Sequence, residues 1–129
     1  MKHVLTTCAA VACMLLAPCL AHAAVDLDAM KARVTPAPDS VEAARVCAAV
    51  TTIYAMNNGS THGDYADLST LWNRIAAAKT GITFDNYLLG EVIDDAKSMQ
   101  VVGMPTIDFY EVWCNDNAAA AAKAANVPQ

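Results

Sequence analysis

Cys47 and Cys114 are the residues of this chain best suited to chemistry, and the compartment decides which chemistry that is. A thiolate beside a base is a nucleophile, whereas two thiols in an oxidising compartment form a bridge. His62 supplies a base by type and sits in the loop Ser60-Thr61-His62-Gly63, so a small enzyme built on Cys47 and His62 is one reading. His62 with Asp64 and Asp67 gives another, since one imidazole and two carboxylates suit a divalent metal ion. Glu91, Asp94 and Asp95 form the densest acidic patch, and paired carboxylates do acid–base work when burial separates their pKa values.

Each group has a plainer explanation. Asp64 is placed to cap a helix, and Asp67 falls in its first turn, where negative charge is favoured. Glu91 and Asp95 stand one helical turn apart on the polar side of an amphipathic helix. They are expected to be solvated, and their further use would be attraction of a basic partner. The chain has no Gly-x-Ser-x-Gly elbow, no His-Glu-x-x-His pair and no phosphate-cradling glycine loop. The expectation is therefore a protein that is not an enzyme and needs no cofactor or metal, with Cys47 and Cys114 joined to each other.

The first 23 residues support that pairing. Lys2 and His3 open the chain, Val4 to Leu20 is almost entirely apolar or small, and Ala21-His22-Ala23 fits signal peptidase. Ala24 is the expected mature N-terminus of a periplasmic or secreted protein. Cys8, Cys13 and Cys19 lie in the expected signal. Leu16-Ala17-Pro18-Cys19 is similar to a lipoprotein cleavage box, although Pro18 stands where Gly or Ala belongs, so membrane anchoring through Cys19 is the lesser alternative.

Removing 23 of the 129 residues leaves one domain's worth of chain. Loss of Lys2 moves the formal charge from −5 to −6. An acidic chain with no basic cluster is a poor ligand for nucleic acid or anionic lipid heads.

The elements that must hold these residues read as helices. Residues 24–38 form an extended lead-in around Pro36 and Pro38, with room for a helical turn over 26–33. Residues 39–129 form the helical domain. Its first helix starts at Asp39, with Asp39 and Glu42 as a capping box, and turns Val46, Cys47, Val50, Ile53 and Tyr54 to one face. The second spans about 65–79, with a stripe of Tyr65, Leu68, Leu71, Trp72 and Ile75. The third spans about 84–99, with Leu88, Val92, Ala96 and Met99 inward. The fourth starts near Pro105 and buries Ile107, Tyr110, Trp113 and Cys114, and the alanine-rich tail can extend it. The fold class is all-α, a small four-helix bundle closed by a Cys47–Cys114 disulfide between the first and fourth helices.

A signal segment, an acidic helical domain and one long-range cysteine pair give the chain an architecture that resembles two groups. One is the periplasmic immunity proteins that neutralise type VI secretion amidases; the other is the acid-stress periplasmic chaperones. The resemblance implies an envelope protein that binds another envelope or secreted protein, basic in character, as an inhibitor or immunity protein does. An acid-activated chaperone is the alternative, and a homodimer is compatible with both. Tyr65, Tyr87 and Phe109 are not assigned to the core, and any of them that faces outward is a good interface anchor; on that ground Tyr65 joins Glu91, Asp94 and Asp95 as a candidate partner-binding residue.

Overall fold

The computed structural model describes residues 25–58 and 63–129, with the side chains of 58, 63 and 64 set aside. The expected signal segment, Cys19 and His62 lie outside the described residues. Every described element is helical, and no described helix is long and apolar enough to cross a membrane.

Helix α1 (Leu27–Lys31) lies within the lead-in, where Asp26 Oδ1 accepts from Ala29 N at 3.0 Å. Arg33 takes a left-handed φ of 54° and lets Val34 N reach Ala29 O at 2.9 Å, which closes the helix. The lead-in is docked: Val25 and Met30 are buried, and Tyr110 Oη donates to Val34 O at 2.7 Å.

Helix α2 (Val41–Asn58) is capped by Ser40, whose Oγ accepts from Ala43 N at 3.0 Å. The expected Asp39–Glu42 box does not form, because Glu42 Oε1 instead accepts from Asp26 N at 3.0 Å. Every residue from Ala43 to Val50 is buried. Helix α2 is therefore the axis of the fold, and its alanines let neighbours approach on several sides.

Helix α3 (Gly63–Thr80) begins earlier than expected, so Asp64 falls inside its first turn. It ends at Gly81, whose φ of 71° allows Ile82 N to bond Ala77 O at 3.2 Å. Helix α4 is one continuous run over 84–99, with Thr83 Oγ1 accepting from Asn86 N at 3.4 Å at its start. Its middle, Tyr87–Glu91, is a π-helical turn: Val92 N–H bonds Tyr87 O, five residues back. A short 3₁₀ turn (Gln100–Val102) and Gly103, at φ 82°, lead into α5 (Met104–Ala124).

The π turn corrects the expected face of α4. One extra residue in the turn shifts the phase, so Tyr87 is buried with Val92, Ala96 and Met99, while Leu88 and Leu89 are exposed. Trp113 also departs from expectation and is half-buried.

Helix α2 packs on α3, α4 and α5. Tyr54 meets Tyr65 and Thr52 meets Ser69, so α3 runs against α2. The Cα atoms of Cys47 and Cys114 are 5.4 Å apart, at disulfide-bonding distance between α2 and α5. Trp72, fully buried, donates from Nε1 to Cys114 O at 3.2 Å and fixes α3 against the same point. The alanine-rich end of α5 is held by packing, with Ala118, Ala121 and Ala122 buried.

Candidate functional site

Two polar constellations stand out, one inside the protein and one on its surface. The inner one joins α2 to α4. Arg45 Nε donates to Asp95 Oδ2 at 3.0 Å and Nη2 to Asp95 Oδ1 at 2.8 Å, with Nη2 also 3.3 Å from Glu91 Oε2. Arg45 and Asp95 are 3% and 1% exposed. Burial disfavours the guanidinium charge, but Asp95 outweighs it and holds the Arg45 pKa above its ordinary value. Burial raises the Asp95 pKa above the usual carboxylate value, with Arg45 opposing. Tyr87 lies in the same electrostatic neighbourhood. Among the described residues its buried hydroxyl has no hydrogen-bond partner, and its pKa is raised first by burial and then by Asp95.

This corrects the expectation of a solvated acidic face. Asp95 is inside, Glu91 is half-buried on Arg45, and only Asp94 is fully at the surface. The physical reason is Arg45, a lone charge in the buried stretch of α2, which draws both carboxylates inward. Among the described residues, the ion pairs are those of Arg45 with Asp95 and Glu91.

The surface constellation lies where the end of α2 meets the start of α3 and of α5. Tyr54 and Tyr65 stack with ring centroids 5.2 Å apart and planes inclined by 21°. Tyr54 Oη donates to Asp108 Oδ1, and Tyr65 Oη donates to Glu111 Oε1 at 3.2 Å. Burial and the facing carboxylates push both phenol pKa values up. The result is a ledge of two fixed aromatic rings edged by two carboxylates. A shallow recess beside it, of 380 Å³, is lined by Tyr65, Asp67, Leu68 and Asn115.

The chain matches no protein-family model, no curated protein and no solved structure. Its function is therefore argued from its own geometry.

Of the predicted site residues, Tyr65 sits on the ledge and Asp67 beside it, while Glu91, Asp94 and Asp95 lie on α4. The structure thus separates the tyrosine from the acidic patch instead of joining them. Among the described residues, no group of His, Cys, Asp and Glu converges as a metal site; His62 and the side chain of Asp64 are outside that set. Asp108 and Glu111 escaped sequence reasoning. Their signal was the three-residue spacing along α5, which places both on one side of the helix, but nothing in the sequence showed that Tyr54 and Tyr65 would meet them.

Proposed function

We propose that this protein is an exported envelope protein that acts by binding a basic protein, as an inhibitor or immunity protein does. The observation that carries this is the ledge. Among the described residues, Asp108 and Glu111 are held by tyrosine hydroxyls rather than by cations, so their charge is available to a partner. The stacked rings are pre-ordered, so little side-chain entropy is lost when a partner covers them. Carboxylates in this position steer a cationic partner and set its orientation. In the same reading Cys47 and Cys114 are oxidised in the envelope and clamp α2 to α5, keeping the two halves of the ledge in register.

The test is capture on the immobilised mature protein from periplasmic extract, with a charge-reversed Asp108→Lys/Glu111→Lys protein alongside. Saturable recovery of a cationic protein by the wild type and its loss with the reversed pair is the expected result. Unchanged helical circular dichroism in the variant shows that the fold survives. Recovery of nothing saturable, or equal recovery by both, removes the proposal.

A further inference from the structure

A second surface adjoins the ledge, where Ile53 and Ile107 neighbour Tyr54 and Asp108. Two grooves sharing Ile53, Asn57 and Gln100 run between the end of α2, the end of α4 and the start of α5. Their volumes are 220 and 250 Å³. Met56 and Met104 border them at 69% and 45% exposure, and Ile93, Ala96 and Ile107 form much of the floor. Leu89, 82% exposed, Ile93 and Lys97 follow at four-residue steps along α4. Among the described residues, Lys97 is the one charged residue lining either groove.

We propose that this groove takes an amphipathic helix of the partner protein, its apolar side on Met56, Ile93 and Met104 and a carboxylate at Lys97. The proposal rests on the binding function above and names the partner's docking element. The row from Leu89 to Gln100 extends about 16 Å, some three helical turns, which suits a helix laid in a groove. Methionines give such a groove an adaptable apolar surface. Charge complementarity selects the occupant. In a chain with 13 acidic residues, the described residues lining the apolar groove include one cation, Lys97, and no anion, so its occupant is apolar and locally acidic. The adjoining ledge calls for the opposite sign. One partner presenting both signs can dock in only one direction.

The π turn fits this use. It leaves a phenol buried without a partner and sends two leucines outward, and neither favours the isolated fold. It also places Leu89 at the head of the row that continues through Ile93 to Lys97.

The probe is a lactam-constrained helical peptide of about four turns, with leucines along one face and one glutamate near its end. It is titrated into the full mature protein while the methyl signals of Met56 and Met104 are followed by NMR. Saturable shifts of both methyls are expected. Replacing the glutamate by lysine weakens binding about tenfold, and Lys97→Glu inverts that preference. A scrambled peptide that binds equally, or shifts that bypass both methionines, overturns the proposal. Equal saturation by laurate makes the groove a lipid site, and concentration-dependent shifts without peptide make it a self-association face; either result also overturns it. If the peptide fails while the Asp108→Lys/Glu111→Lys pair still abolishes capture, the groove proposal falls alone and the binding function stands.

Discussion

Arg45 and Asp95 meet fork to fork, Nε on Oδ2 at 3.0 Å and Nη2 on Oδ1 at 2.8 Å, across the seam between α2 and α4. Both side chains are out of solvent, so neither charge can turn to water when its partner is removed. Asp95→Leu and Arg45→Met should each cost about 3–5 kcal/mol, with Asp95→Leu nearer the lower figure because Glu91 remains for Arg45. The double variant Arg45→Met/Asp95→Leu should be more stable than either single one. Urea unfolding of the three proteins measures this, and strictly additive losses would count against it.

The same pair sets a sign for acid. Burial lifts the Asp95 pKa in the folded protein above its unfolded value near 3.8. Its contribution to stability is then full below that value and is lost as pH rises through the folded pKa. The stability gap between wild type and Asp95→Asn should widen as pH is lowered from neutrality toward 3.8. A gap that narrows would mean that Arg45, rather than burial, dominates the carboxyl.

The alkaline limb belongs to the tyrosines. Tyr54, Tyr65, Tyr87 and Tyr110 are all four of the chain's tyrosines, and burial raises each above 10.0. Facing carboxylates add to the effect: Asp108 for Tyr54, Glu111 for Tyr65, Asp95 for Tyr87, and Glu42 for Tyr110. Their contribution is present below pH 10 and is lost as pH rises through the folded values. Phenolate absorbance in the ultraviolet should therefore appear only above pH 10, together with loss of helical signal. Phenolate forming at pH 10 in a fully helical protein would contradict the buried placement.

The Cys47–Cys114 pair spans 67 residues. In the chain-entropy account, closing a loop of that length stabilises by about 4 kcal/mol. Reduction, or Cys47→Ala/Cys114→Ala, should lower the urea midpoint by a corresponding amount with helix content retained in the absence of urea. A non-reducing mass showing two free thiols in exported protein would remove the clamp from the proposed function.

Helix α4 contains two unfavourable residues, Tyr87 and Gly90, that substitution should improve. Tyr87→Phe removes a buried hydroxyl with no partner and should be neutral or stabilising by up to about 1 kcal/mol. Gly90→Ala places a methyl where nothing lies within 4 Å and should stabilise by about 0.5–1 kcal/mol through helix propensity. Thermal unfolding reads both.

Helix existence and approximate boundaries were legible because three- and four-residue apolar spacing, Gly81 and the Gly103-Met104-Pro105 break are local signals. The phase of α4 was not. Leu88, Val92, Ala96 and Met99 fit a straight helix, and the choice of Tyr87 over Leu88 depends on how the π turn packs against α3. Arg45 was legible in principle, as one charge amid Ala43, Ala44, Val46 and Cys47, a run that requires a buried counter-charge. The acidic patch misled because composition cannot tell a solvated carboxylate from one facing an arginine fifty residues away. The ledge depends wholly on tertiary contact, since Tyr54, Tyr65, Asp108 and Glu111 come from three helices.

The π turn at Tyr87–Glu91 means that α4 holds one residue more than an unbroken helix needs between Tyr87 and Val92. A chain shortened by Gly90 alone would bring those two side chains into ordinary four-residue phase. Such a protein keeps the same core but moves Leu89 from four residues before Ile93 to three, which shifts the leucine to the other flank of the row. A one-residue deletion, silent in charge, would then divide otherwise matching sequences by the flank on which they present this leucine.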